Sequence, residues 1–313
     1  MNLNGAEFGV RDTFGHDATI PGVYGVDYIY PTVQEVDYFC SRGMNVFRLA
    51  FRWERLQPQL FGGLHEPEWE RIATIISAAA DRGSSVILNP HNFARYHAEL
   101  IGSNAVPCSA FADFWRRVAE RCLASSNVIF GLVNEPHHMR TEQWLSAANA
   151  AIEAIRGTGA AQLILVPGNG YTGAASWCGG WYGTPNARVM KKLIADADPF
   201  AFEVHQYFDG DGSGRSPEAV SRTIGSARSA PFTRWLRENG FRGFLGEFAS
   251  GTDARSLAAL EDLLLHVEAN ADVWLGWTYW SAGPWWGDYF FSLEPRPGYE
   301  RPQMEVLQRH LAR

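Results

Sequence analysis

Short apolar runs recur along the chain, and stretches with helical spacing or helix start signals lie between most of them. The clearest is Val128-Ile-Phe-Gly-Leu-Val-Asn-Glu-Pro-His137, where β-branched and aromatic residues give way abruptly to an amide, a carboxylate and a proline. A run of this length and make-up predicts a fully buried strand. Pro136 disfavours the α region for the residue before it, so Glu135 is expected to be still extended, its side chain leaving the sheet at its C-terminal edge.

The other strands are expected at Gly5–Gly9, Asn45–Leu49, Ser84–Asn89, Leu163–Pro167, Ala201–His205, Gly243–Glu247 and Val273–Trp280. Between them lie helix signals. Thr32 with Glu35 three positions on is a capping box opening a helix to about Arg42-Gly43. Pro67 opens a second, ending at Arg82-Gly83. Ser109 is placed to cap a third through Ala124, and Thr141 begins a fourth that runs to Gly157. The weakest helix pattern is near Val189–Ala195, and a last helix spans Arg301 to Leu311. Eight strands alternating with helices predict a single (β/α)8 TIM barrel over residues 1–313, with its active site at the C-terminal ends of the strands. An open doubly wound sheet competes, but no G-x-G-x-x-G turn follows the first strand and no P-loop is present.

Composition narrows the chemistry. A net charge of −7 without clustered Lys and Arg argues against nucleic acid as a partner and favours neutral ligands. No stretch approaches a membrane span, and the N-terminus has neither the basic start nor the apolar run of a signal peptide. The four cysteines, Cys40, Cys108, Cys122 and Cys178, lack C-x-x-C spacing, and buried free thiols are expected. Twelve Trp are too many for the core alone, so some are expected to line a groove.

In a barrel, the strand ends would gather Glu7, Arg48, His91, Asn92, Asn134, Glu135, His205, Tyr207, Glu247 and Trp280 at one mouth. Each alone has an ordinary structural reading, as an ion pair, a core histidine or a loop aromatic. Together they read as an active site. Glu135 and Glu247 would face each other, and two carboxylates in opposed roles are the equipment of glycoside hydrolysis. Arg48 would keep one of them charged, and that charge would raise the pKa of the other. These arguments leave open which Glu is which.

The chain also resembles glycoside hydrolase family 5, in its subfamily of endo-β-1,4-glucanases (cellulases). The matching strings are Phe47-Arg48, Pro90-His-Asn-Phe-Ala-Arg-Tyr96, Val133-Asn-Glu-Pro136, Val204-His-Gln-Tyr-Phe-Asp-Gly-Asp-Gly-Ser-Gly214, Leu245-Gly-Glu-Phe-Ala249 and Ala282-Gly-Pro-Trp-Trp-Gly-Asp-Tyr289. The resemblance implies a retaining enzyme with Glu135 as acid/base and Glu247 as nucleophile. It implies that Arg48 and Tyr207 aim Glu247, and that Asn134 binds the sugar 2-hydroxyl. His91 and His205 would bond the reacting sugar and the acid/base, with Trp280 as platform and Asn92 in support. Glu7 is equally open to a purely structural reading.

The expected substrates are cellulose, soluble β-glucans and cello-oligosaccharides, met by a secreted monomer with no cofactor or metal. β-Mannanase or xylanase activity is the nearest rival, and a non-catalytic glucan-binding barrel is the alternative from another class. Trp177 and Trp181 on the loop after strand five are expected to touch sugar ahead of Trp285 and Trp286 after strand eight. Asp209-Gly-Asp-Gly-Ser-Gly214 imitates the opening of an EF-hand, but the twelfth position is Val220, so a turn is expected rather than a calcium loop.

Overall fold

The computed structural model describes residues 1–9, 21–194 and 199–311. Eight strands form one parallel sheet in sequential order: β1 Asn2–Ala6, β2 Val46–Phe51, β3 Ser85–Pro90, β4 Val128–Gly131, β5 Ile164–Pro167, β6 Phe200–His205, β7 Gly243–Glu247 and β8 Trp274–Trp277. The sheet curls until its ends meet. Beyond β8 the chain stays extended, and Asn2 and Asn4 donate to the carbonyls of Tyr279 and Ala282, both at 2.8 Å. The main helices are α1 Val33–Ser41, α2 Glu66–Ala80, α3 Cys108–Cys122, α4 Thr141–Gly157, α5 Asn186–Val189, α6 Ile224–Asn239, α7 Ala254–Ala269 and α8 Pro302–Arg309. The chain is a (β/α)8 barrel, as the alternation of runs predicts.

Several boundaries differ from expectation, three of them instructively. The first strand is Asn2–Ala6, not Gly5–Gly9. Its asparagines look like loop residues in sequence, yet Asn2 is buried inside the barrel, where its amide donates to the carbonyls of Gly246, Thr278 and Tyr279. Pro107, not Ser109, precedes the first turn of α3, its fixed φ of −65° already suited to that position. The helix expected near Val189–Ala195 begins earlier, as α5, and tightens into a 3-10 turn at Met190–Lys192. Ala195 lies outside the described residues. The Thr32 capping box forms, with the Thr32 amide donating to Glu35 at 2.5 Å.

Layering inside the barrel positions the site. Strand residues pointing outward join the large apolar core beneath the helices. Among those pointing inward, Ile87, Leu165, Ala201 and Phe244 form a separate apolar plug. With side chains alternating along each strand, Arg48, Asn89 and Glu203 are next above that plug toward the C-terminal rim. No helix among the described residues is long and apolar enough to cross a membrane.

Candidate active site

Glu247 ends β7, and a local irregularity aims it. Val204 pairs with Leu245 but His205 pairs with Glu247, so Gly246 is the extra residue of a bulge. Arg48 Nη1 donates to Glu247 Oε1 at 2.7 Å and the Tyr207 hydroxyl to Oε2 at 2.9 Å. The other hydrogens on its two terminal nitrogens are committed too. Nη1 also meets Asn2 at 2.9 Å, while Nη2 meets Asn134 at 2.7 Å and Asn89 at 3.1 Å. A fork bonded on so many sides cannot swing away from the carboxylate it orients.

Glu135 approaches from the loop after β4, with the His205 Nδ1 nitrogen 2.7 Å from its Oε1. It is not extended, as Pro136 would prefer, but has a φ of +42°. One local and one long-range hydrogen bond accompany the turn. The His137 ring nitrogen bonds the Glu135 carbonyl at 2.9 Å, and the Tyr171 amide donates to that of Pro136 at 3.1 Å. Phe93 and Ala94 after β3, and Tyr171 and Thr172 after β5, also have positive φ. Backbone of this kind gathers where a site must be held in place.

The two carboxylates meet. One oxygen of Glu135, one of Glu247 and a ring nitrogen of His205 lie within 4.8 Å of one another. Burial pushes the Glu135 carboxyl above its ordinary range, the Glu247 charge adds to that, and His205 and Arg48 pull the other way. Burial would lower His205, but the surrounding carboxylates outweigh it and push the imidazole up to about 9. His91 is pulled down by burial and by Arg48, so it is neutral, within 3.2 Å of the Asn134 amide and stacked on Trp280 at 5.5 Å. Tyr207 is pushed well up by burial and Glu247, and remains a hydroxyl donor. Although Glu135, His205 and Glu247 have the donor atoms for a cation, Arg48 and Tyr207 already occupy the Glu247 oxygens, and a guanidinium beside the space disfavours a second positive charge.

A cavity of about 640 Å³ opens beside Glu135, lined among others by Phe93, Tyr171, Trp181, His205, Tyr207 and Arg215. A second, of about 600 Å³, shares Gly170, Tyr171 and Trp181 as its wall. Trp181 is 65% exposed and parallel to Tyr171 within 6°, and Tyr171 stacks on His137 at 4.2 Å. The loop after β5 therefore presents a stepped aromatic face to the groove.

Of the other residues read from sequence, Asn92 is a brace: it accepts from the Trp53 amide at 2.8 Å and donates to Glu54 at 2.6 Å, tying two rim loops together. Glu7 is buried just past β1, bonded to Asn4 and to the Gly5 amide, with no bond to either central carboxylate. Trp177 is a correction. It is 0% exposed, packed among Phe202, Phe232 and Trp235, and so cannot touch a ligand. Trp285, rated behind it, is 41% exposed. The Asp209 carboxylate is bonded to the amides of Gly214, Arg215 and Ser216 in its own loop, a turn as expected. All four thiols are free, but only Cys122 is buried: Cys40 and Cys108 are half-buried and Cys178 is exposed. Sequence reading missed Asn2, Asn89, Tyr171 and Glu203. A signal existed for Glu203, which lies two residues before His205 in a strand and so faces the same way.

A (β/α)8 barrel with two carboxylates this close across an open groove defines the site of a glycoside hydrolase. The chain belongs to glycosyl hydrolase family 5: the family model described as cellulase matches residues 1–283. It is 40% identical over 99% of its length, and 89% of the relative's, to a protein of Aspergillus oryzae named probable endo-beta-1,4-glucanase B. Among solved structures, it superposes on a triple variant of the endo-beta-1,4-glucanase of Xanthomonas axonopodis pv. citri with a TM-score of 0.95, at 44% identity, covering 99% of this chain and 97% of the other. A structure of XacCel5A in complex with cellopentaose gives a TM-score of 0.94 at the same identity and coverage.

Proposed function

We infer that the protein is an endo-acting β-1,4-glucanase that hydrolyses internal bonds of cellulose, soluble β-glucans and cello-oligosaccharides with retention of configuration. One observation carries the mechanism: carboxylate oxygens of Glu135 and Glu247 within 4.8 Å. Retaining enzymes hold the pair about 5–5.5 Å apart, whereas inverting enzymes need about 6.5–9.5 Å to admit a water. The surroundings of the two carboxylates support the roles. Glu247, fixed from both sides by Arg48 and Tyr207, attacks the anomeric carbon. Glu135, whose carboxyl is raised and which faces the cavity, gives its proton to the departing oxygen.

The product of that step is a glycosyl ester on Glu247, which carries no charge. The part of the rise in Glu135 that came from the Glu247 charge is then gone, while Arg48 and His205 still favour its ionised form. Glu135 can therefore take a proton from water, whose oxygen attacks the same carbon and expels Glu247. Asn134, held by Arg48, is the candidate partner of the sugar 2-hydroxyl, His91 and Trp280 of the reacting ring, and Trp181 of a neighbouring one. We further read residues 1–313 as one catalytic domain acting as a secreted monomer, since polymeric cellulose does not enter cells. It has no use for nucleic acid or a cofactor.

Proton NMR of cello-oligosaccharide hydrolysis tests this reading, with β-anomeric products expected before mutarotation. An α-anomer first would refute retention. Reducing ends released faster from mannan or xylan than from cellulose derivatives would transfer the assignment to those rival activities.

A further inference from the structure

A third carboxylate lies beneath the pair, and the two chemical steps above do not use it. Glu203 projects from β6 into the barrel with 0% side-chain exposure. Its Oε1 is 2.8 Å from Arg48 Nε and 3.4 Å from His205 Nε2, while Oε2 has no hydrogen-bond partner. A charge so deep, with half its bonding capacity unspent, is a poor way to gain stability, since apolar residues of similar volume do as well or better. The fold nevertheless makes room for it. A Cβ on Gly246 would run into the Glu203 carboxylate, so the bulge in β7 must be glycine.

The geometry shows what the charge offsets. Arg48 Nη2 and His205 Nε2 face each other at 3.5 Å. A guanidinium that close would by itself drive the proton off the imidazole. Resting on the assignment of Glu135 as acid/base, we propose that Glu203 is a positioning residue whose fixed negative charge lies against both groups and lets His205 stay an imidazolium, its Nδ1 hydrogen aimed at Glu135, through both steps of the reaction.

The charges balance at each stage. Before attack, Glu247 and Glu203 oppose Arg48 and His205, and Glu135 is neutral. In the glycosyl-enzyme, Glu247 is a neutral ester and Glu135 has lost its proton, so Glu135 and Glu203 oppose the same two cations. Without Glu203 the buried cluster would carry a surplus positive charge at both stages, which a low-dielectric interior relieves by deprotonating His205. The groups facing His205 are Glu135 and Glu247 on its Nδ1 side and Glu203 and Arg48 on its Nε2 side, with neutral His91 nearby. The directions agree: the three carboxylates raise His205, and although burial pushes Glu203 up, Arg48 and His205 hold it below the ordinary carboxylate range.

Histidine-labelled protein reports the outcome directly. The ring nitrogen shifts of His205, assigned by their loss in His205→Asn, are followed by NMR from about pH 5 to about pH 10. In Glu203→Gln the His205 midpoint falls by at least about one pH unit. Turnover of cello-oligosaccharides falls further than that of an aryl cellobioside with an activated leaving group, because neutral His205 leaves Glu135 a weaker acid. An unmoved midpoint overturns the proposal, as does an equal loss on the two substrates, the mark of a merely structural role. Should Glu203→Gln not fold, Glu203→Asp, whose shorter side chain draws the charge away from His205, carries the same test: a lowered midpoint supports the proposal and an unchanged one ends it. The titration needs no turnover, so its result stands apart from whether Glu135 is the acid.

Discussion

Arg48 and Glu247 are 199 residues apart in the chain and meet at 2.7 Å in the barrel mouth, the guanidinium fully buried. The contact fixes one oxygen of Glu247 and Tyr207 fixes the other, leaving the carboxylate one orientation, toward the groove. Glu247→Gln keeps the size and the Tyr207 bond but has no nucleophilic oxygen. Turnover of soluble cellulose derivatives should drop at least about 10³-fold while the Kd for cello-oligosaccharides changes little, a loss confined to the transition state. Ordinary activity in that variant would remove Glu247 from the nucleophile's role. Tyr207→Phe, which deletes one of its two aiming bonds, should cost on the order of 10–10²-fold in kcat with KM nearly unchanged.

Glu135→Ala should separate substrates by leaving group. An activated aryl group departs without a proton, so its release should be spared, whereas cello-oligosaccharide cleavage should fall by about 10²–10⁴-fold. Equal loss on both would argue against the acid role. A companion measurement concerns the charge of Glu247, which raises the Glu135 carboxyl. In Glu247→Gln that influence is gone, so the Glu135 carboxyl carbon should titrate at lower pH by NMR. An upward movement would mean that the two groups do not interact as their separation requires.

Two tryptophans of one loop should behave oppositely. Trp181 is exposed beside Tyr171, so Trp181→Ala should weaken oligosaccharide binding by about 1–2 kcal/mol, roughly 5–30-fold in KM, with Tm hardly altered. Trp177 is enclosed by Phe202, Phe232 and Trp235, and Trp177→Ala should cost about 3–5 kcal/mol of stability. Calorimetry alongside KM measurements checks both. A stable Trp177→Ala protein with raised KM would reverse the assignment.

That loop shows where sequence reading reaches its limit. The barrel was legible because a buried parallel strand must be a run of apolar residues, and Glu135, His205 and Glu247 were legible because they stand at the ends of such runs. Trp177 and Trp181, four residues apart on one long loop, carry no periodicity to say which faces inward. Asn2 and Asn89 were hidden for the opposite reason. Polar side chains in a strand suggest a solvated edge, yet here they point into the barrel, where Arg48 engages both. The left-handed turn at Glu135 runs against the only local rule available, the preference imposed by Pro136, and is accompanied by a local bond from His137 and a long-range one from Tyr171.

Glu7 links the barrel's first strand to the pH dependence of stability. Burial pushes its carboxyl from 4.5 up to about 7, against the pull of bonds from Asn4 and Gly5 and the charge of Arg52. The folded protein therefore keeps a proton that the unfolded chain releases near pH 4.5. With more protons bound in the native state, stability falls as pH rises through this window: the contribution is intact below the unfolded pKa, shrinks from about pH 4.5 to about pH 7, and is constant above. The loss is at most on the order of 3 kcal/mol. Glu7→Gln cannot titrate, so its Tm should decline less than the wild type's between about pH 5 and about pH 7. Glu294, pushed up by burial and by Glu35, adds a slope of the same sign to both proteins, and comparing them removes it. Parallel Tm curves from differential scanning calorimetry would show that Glu7 is already ionised in the fold at pH 5, and that its bonds with Asn4 and Gly5 outweigh its burial.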